Sequence, residues 1–269
     1  MKYQFGQTSR LGNRKVNEDD LGVAEAGDAV LLVVADGMGG YRGGQVASRA
    51  LVKYMVNHFK RGKFPVEDPQ SFLKELVADA HMAIIRAGNE HKPPVEPRTT
   101  CVVCLIQGGF AWWVHVGDSR LYMFREGKAF KRTVDHSKIE EMRRKGKISE
   151  AEMKNHPQRN LVTRCVGFQP HPPVPTVSDK IPLEKYDMFV LCSDGLWGAL
   201  DEENIVETLK ENTITQGVEK LAEQAELNSY PDSDNISVIA FRWVSTDSSE
   251  KSEEAIKQEA PTSVEVKAN

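Results

Sequence analysis

The sequence predicts an α+β fold in which antiparallel sheets pack with helices outside them. Three observations predict it. The chain reads in the order strands, two helices, strands, two helices, one strand. Neighbouring strands are joined by short turns such as Gly108-Gly109 and Glu126-Gly127, the connection that antiparallel strands use. Several apolar runs of about four to eight residues are rich in Val, Ile and Leu, the pattern of strands buried in a core.

The elements follow in order. Tyr3–Thr8, Leu21–Ala24 and the wholly apolar Val30–Ala35 read as strands. A helix is predicted over about Gly44–Lys60, where Val46, Ala47, Ala50, Leu51, Tyr54 and Met55 recur at helical spacing. A second runs over about Pro69–Asn89, with Phe72, Leu73, Leu76, Val77, Ala80, Met82, Ala83 and Ile84 as its apolar stripe. His91–Pro97 is a loop by its prolines. Strands return at Thr99–Ile106, Ala111–Val116, Leu121–Arg125 and Ala129–Arg132. From Ser137 to Asn155 the chain turns charged and weakly apolar, which predicts two short helices broken at Gly146 and set on the surface as an insertion. Strands are predicted at Asn160–Cys165 and Met188–Ser193, helices at Glu202–Glu211 and Thr213–Asn228, and a last strand at Ile236–Trp243. Residues 1–244 then form the folded domain, and 245–269, rich in Ser, Thr, Glu and Lys without an aromatic residue, read as a disordered acidic tail.

Composition narrows the function. With 35 Lys and Arg against 39 Asp and Glu, the net charge of −4 gives no electrostatic case for binding nucleic acid. No apolar run approaches the length of a membrane span, and Met1–Gly6 has no apolar signal region, so a cytoplasmic protein that engages no membrane is expected. The four cysteines are too few for a disulfide framework. Cys101 and Cys104 match C-x-x-C, but on a strand residues three apart point to opposite faces, so they cannot share a metal.

The chemistry concentrates in aspartates at strand tips. Asp36 ends Val30–Ala35 and precedes Gly37-Met38-Gly39-Gly40; Asp118 follows Trp112–Gly117; Asp194 follows Met188–Ser193; Asp234 precedes the run that begins at Ile236. A carboxylate at the tip of a buried strand is held rigidly, and a following Gly lets a ligand approach the backbone. Several such tips in one cleft would offer hard oxygen ligands suited to Mg²⁺ or Mn²⁺. The Gly-rich loop is not a dinucleotide fingerprint, since Arg42 stands where a third Gly would be needed, and no Gly-Lys-Ser/Thr follows to make a phosphate-binding Walker loop.

Joined to Arg14–Asp19 near the N-terminus, these segments resemble the bacterial members of the metal-dependent protein phosphatases, the type 2C (PPM-type) serine/threonine phosphatases. The matching segments are Arg14–Asp19, Val34–Gly40, Thr99-Thr100, Val116–Arg120, Asp135-His136-Ser137, Cys192–Gly195 and Asp234–Ser237, in the family's order. The resemblance implies a four-layer α-β-β-α sandwich, two packed antiparallel sheets flanked by helices, with the metals at one end. It implies that Asp36 bridges two ions, that the Gly37 carbonyl ligates one, and that Asp194 and Asp234 hold the other. Asp19 and Glu18 match the acidic pair supporting the site, directly or through water. Asp118, with Asp194, matches the site of a third, weaker ion, and Arg14 the arginine that grips the substrate phosphate. The implied reaction is hydrolysis of phosphoserine and phosphothreonine in proteins by a water shared between two Mn²⁺ or Mg²⁺ ions. Implied partners are phosphoproteins, including a Ser/Thr kinase or its targets, met by a monomer; residues 137–166 match the family's variable flap.

The chain departs from the family at three places. Met38 and Gly39 fall where eukaryotic relatives place a His, Tyr41 where many bacterial relatives have His, and Arg98 where they often have Gly. Other notable residues have plainer readings. His136 is expected to bond within its own turn, His115 to be packed or exposed without chemistry, Trp112 and Trp113 to be core and surface neighbours, and Lys138–Lys147 to be a solvated face. The rival functions are a non-catalytic regulatory module on the same fold and another two-metal phosphoester hydrolase.

Overall fold

The computed structural model describes residues 1–38, 43–153, 156–167 and 170–245. Positions 39 and 41 of the Gly-rich loop and the expected tail after Ser245 lie outside the described residues. Three strands open the chain: β1 (Lys2–Arg10), β2 (Asp19–Ala26) and β3 (Ala29–Met38). Helices α1 (Gly43–Arg61) and α2 (Pro69–Glu90) follow. Helix α2 starts where Asp68 accepts the Ser71 N–H and Pro69 occupies the first turn, which needs no donor there. Next come β4 (Arg98–Thr99), β5 (Cys101–Gln107), β6 (Phe110–Val116), β7 (Arg120–Arg125) and β8 (Lys128–Arg132). The charged stretch holds α3 (Lys138–Arg144) and α4 (Glu150–Met153), two short helices as expected. The chain then runs through β9 (Thr176–Val177), β10 (Ile181–Pro182), β11 (Met188–Cys192), α5 (Asp194–Trp197), α6 (Glu202–Glu211), α7 (Ile214–Ser229) and β12 (Ile236–Ser245).

The strands form two antiparallel sheets. One has the order β1-β12-β11-β7-β8; the other has β10-β6-β5-β3-β2, with β4 on β3 and β9 on β6. Both are covered on two faces, which is why β3 is apolar throughout. Its Val30, Leu32 and Val34 point into the layer between the sheets, against Leu121, Met123, Phe189 and Phe241. Its Leu31, Val33 and Ala35 point the other way, onto Leu51, Met55, Leu73 and Ile84 of α1 and α2. On the far side Tyr122, Val190 and Ala240 face Ile205, Leu209, Val218 and Leu221 of α6 and α7. The layers are helix, sheet, sheet, helix.

The same two-faced burial corrects one expectation and bears out another. Trp112 packs in the helix-facing layer and Trp113 between the sheets, so neither is a surface residue. Cys101 and Cys104 do lie on opposite faces of β5. Asn160–Cys165 is not a strand. It crosses from α3 to β4 with one bridge at each end, Val162 to Ser137 and Val166 to Thr99, and so has no neighbour to build a ladder with. The two-residue strands β9 and β10 escape sequence pattern because the prolines around them remove donors and keep them short, at a sheet edge. The expected strand over Thr99–Ile106 is interrupted at Thr100, whose side chain takes a ladder position: the Asp36 N–H donates to Thr100 Oγ1 at 3.0 Å and the Thr100 N–H to Asp36 O at 2.8 Å.

Candidate active site

Antiparallel register gathers the strand tips. Asp19 at the start of β2 lies directly opposite Asp36 at the end of β3. Val34 pairs with Val102 and Cys101 with Val116, which carries the same end of the sheet across to Gly117-Asp118. In the second sheet, Cys192 pairs with both Arg120 and Val238, and Arg10 with Ile236. The end of β11, before Asp194, and the start of β12, after Asp234, therefore meet at that same end.

Side-chain parity supplies a floor for the cluster. The inward rows of the inter-sheet layer end in polar groups: Asp19, Asp36, Thr100, Ser119, Ser193 and Ser237. These are tied to one another. Thr100 Oγ1 and Ser119 Oγ lie 2.6 Å apart, Ser193 Oγ donates to Asp19 Oδ2 at 2.7 Å, and the Ser237 N–H donates to Ser193 Oγ at 3.0 Å. Asn235 joins three segments. Its Oδ1 accepts the Glu18 N–H, its Nδ2 donates to Leu11 O, and its own N–H donates to Asp234 Oδ1, each at 2.8 Å. Gly37 N–H donates to Glu18 O at 3.1 Å, and a side chain at Gly37 would collide with Gly44 O and Glu18 O. The Trp197 Nε1–H donates to Asp118 O at 2.9 Å. Ser193, Ser237, Asn235, Thr100, Ser119 and Trp197 are thus supporting residues that sequence reading passes over. All but Trp197 lie inside the quoted segments, and alternation from a known inward residue would have found the hydroxyls.

Every predicted site residue is at this end. Asp19 and Asp118 are buried; Asp36, Asp194, Asp234 and Glu18 are half-buried; Arg14 is exposed and donates to Asp234 Oδ2 at 2.7 Å. Burial first, and then repulsion from Asp19, Asp194, Asp118 and Asp234, push the Asp36 carboxyl well above the usual range. Asp19 rises to about 7, through burial and against the lowering hydrogen bond from Ser193. Asp118 rises to about 8, through burial and the charges of Asp194 and Asp135. Asp194 rises to about 6, through burial and the charge of Asp234, while a hydrogen bond with Asp36 lowers it. Glu18 is raised by burial, which outweighs Arg14.

The donor set fits hard divalent cations. Carboxylates are in excess here, and among the described residues the buried Glu18 Oε1 has no hydrogen-bond partner. Among the described residues no three His, Cys, Asp or Glu side chains converge on one point at coordination distance. His136 borders the cluster, and its ring bonds to none of the aspartates. Its Nδ1 accepts the Gly117 N–H at 3.2 Å, its Nε2 meets Thr176 Oγ1 at 2.9 Å, and its ring stacks on buried His115 with centroids 4.6 Å apart. It therefore braces neighbouring segments rather than bonding within its own turn.

The fold and this cluster define a class: a four-layer α-β-β-α sandwich with an acidic site across one end of both sheets. Comparison with known proteins makes the class specific. The family model described as Protein phosphatase 2C matches residues 6–230, and the chain belongs to that family. It is 31% identical over 237 residues to the serine/threonine phosphatase stp of Listeria monocytogenes, covering 87% of this chain and 92% of that protein. The solved serine/threonine phosphatase of S. agalactiae superposes with a TM-score of 0.82 at 27% identity, over 91% of this chain and 100% of that one. The catalytic domain of the phosphatase PstP, solved with two manganese ions, superposes with a TM-score of 0.76 at 29% identity, over 90% of this chain and 99% of that one.

Proposed function

We propose that this chain is a metal-dependent hydrolase of phosphoserine and phosphothreonine in proteins. The observation that carries the reading is the convergence of Asp19, Asp36, Asp118, Asp194 and Asp234, from five separate stretches of chain, at one end of a protein phosphatase 2C fold. Bound divalent cations would supply Lewis acidity toward the phosphoryl oxygens and lower the pKa of water. The chain's own residues do the rest. Asp36, repelled by every other aspartate of the set, would be the ligand shared between two ions. The Gly37 carbonyl would ligate one, Asp194 and Asp234 would hold the other, and Asp19 and Glu18 would support them directly or through water. Asp118 with Asp194 would serve a third, weaker ion. Arg14, exposed at the rim, offers a planar fork to the phosphoryl oxygens. Its reach to Asp234 supports that placement. Nothing here requires a nucleophilic Cys, and the buried Cys101, Cys104 and Cys192 thiols have pKa values raised by burial.

Mn²⁺ and Mg²⁺ are both suited to the oxygen donors, and the manganese-bound relative supports the former. The substrates include a Ser/Thr kinase or its targets, and the enzyme works as a cytoplasmic monomer. The test is hydrolysis of a phosphothreonine peptide with Mn²⁺ before and after EDTA. Full loss on chelation with recovery on adding Mn²⁺ is expected; turnover that survives chelation would overturn the reading.

A further inference from the structure

Next to the carboxylate cluster is a cavity of about 340 Å³ whose walls include Asp135, His136, Glu140, Arg143, Arg144 and Arg164. The two are joined by one pair of backbone segments. The His136 N–H donates to Gly117 O at 2.9 Å, Gly117 N–H returns to His136 Nδ1, and Asp118 is the next residue. At about 3.3 Å per extended residue, a peptide seated on the carboxylates reaches this cavity within a few positions.

Its charge is opposite to that of the cluster. Both of its acids have their own cation: Arg120 forks onto Asp135 at 2.9 and 2.7 Å, and Arg143 onto Glu140 at 2.9 and 2.6 Å. Arg144 and Arg164 are exposed, and among the described residues neither has a carboxylate within ion-pair range. Arg164 is tethered through NH1 to Val174 O at 3.3 Å, which orients the guanidinium without neutralising it. His136 is held down at about 3, by burial first, then by His115 and then by Arg164. A wider cavity of about 480 Å³ on the α1–α2 surface, around Lys53, Tyr54 and His58, has no such link to the carboxylates.

We propose that the cavity beside Asp118 is a second anion subsite, in which Arg144 and Arg164 hold a carboxylate or a further phosphate on the substrate polypeptide a few residues from the phosphorylated Ser or Thr. The inference rests on the phosphatase reading and adds a substrate class: acidic or multiply phosphorylated segments. Arginine is suited to either anion because its planar donors match both.

The test uses phosphothreonine peptides of one length: neutral, with Asp or Glu two to four positions away, and with a second phosphate there. An aryl phosphate, too small to reach the cavity, is the control. The wild type is expected to show a lower KM for the anionic peptides. The double variant Arg144→Gln/Arg164→Gln should raise that KM about five- to tenfold, the worth of one or two exposed charge pairs, and leave kcat, the neutral peptide and the aryl phosphate unchanged. The aspartate and phosphate arms tell which anion is preferred. Arg144→Glu/Arg164→Glu should reverse the preference. Equal KM values for neutral and anionic peptides in the wild type, or a preference that survives both double variants, would overturn the subsite. Anisotropy of the labelled anionic peptide on the Asp36→Asn protein needs no turnover. It reads the subsite even if aryl phosphate hydrolysis were absent, an outcome that would count against the phosphatase reading and not against the cavity.

Discussion

Strand β11 has an aspartate at each end, with Asp118 before neighbouring β7 beside one of them, and the two ends are treated differently. Away from the site, Asp187 precedes β11 and is buried. Arg125 forks onto it at 2.9 and 2.7 Å, the Glu184 N–H donates to it at 2.8 Å, and Arg125 donates further to the Glu184 carboxylate and to Pro182 O. At the other end Asp118 precedes β7 and is just as buried, and Asp194 follows β11, yet no cation forks onto either. Their carboxyls rise to about 8 and about 6, with burial as the first cause. The same residue type at the same depth is cancelled at one end and left uncancelled at the other. A buried charge without a partner destabilises the fold that holds it. Its persistence in a cluster marks a place where the missing partner is a ligand.

The contrast can be broken most severely at its centre. Asp36→Asn should lower activity roughly a thousandfold while circular dichroism stays native, since the change removes a charge and keeps the shape. An active Asp36→Asn enzyme would show that the end cluster is not the catalytic one. The structural end should respond in the opposite sense. Asp187→Ala leaves Arg125 with Glu184 as its remaining ion pair and the Pro182 carbonyl, and should cost about 3 kcal/mol in denaturant unfolding, with activity per folded molecule retained. Arg14→Ala is expected to raise KM about tenfold, with the smaller part of the effect in kcat; unchanged values of both would place the phosphate elsewhere.

A gentler test is pH. Carboxyls raised in the folded state bind protons more tightly there than in the unfolded chain, whose values lie near 4. Protonation therefore favours the fold. In the metal-free protein this contribution to stability should be full below about pH 4 and be lost as pH rises from there through the folded values of about 6 for Asp194, about 7 for Asp19 and about 8 for Asp118. Melting scans from pH 5 to 8 with EDTA should fall, and Mn²⁺ should restore the most at pH 8; a flat metal-free profile would contradict the uncancelled charge. The smallest effect is expected for Asp118→Asn, which removes one repelling charge. It should raise the metal-free melting temperature by a few degrees and shrink the gain from Mn²⁺, read by calorimetry.

Much of this was legible in the sequence, for a physical reason. Asp36, Asp118, Asp194 and Asp234 each interrupt an apolar pattern, and a charge beside a buried run stands out. The fold order was legible because strands and helices here keep clean periods and short turns. The Arg125–Asp187 pair was not, since two opposite charges some sixty positions apart leave no local trace. Nor was the cavity by Asp118: Arg144 and Arg164 sit in a charged stretch that reads as solvated, and only the pairing of Arg143 and Arg120 with their acids shows which charges remain. The false strand at Asn160–Cys165 had the right composition but no free partner edge, a property of the whole sheet. Trp113 was misplaced for the related reason that a second sheet covers its face.

One feature bears on how the enzyme comes into being. Strand β1 pairs along its length with β12, and Asn235 fastens Leu11 and Glu18 from over two hundred residues away. During synthesis Asp19 and Asp36 leave the ribosome long before Asp234 and the strand behind it. A nascent chain that stops short of Asp234 has neither the strand that joins β1 to β11 nor the Asn235 amide that accepts the Glu18 N–H. The acidic end of the sandwich is therefore assembled only once β12 has been made.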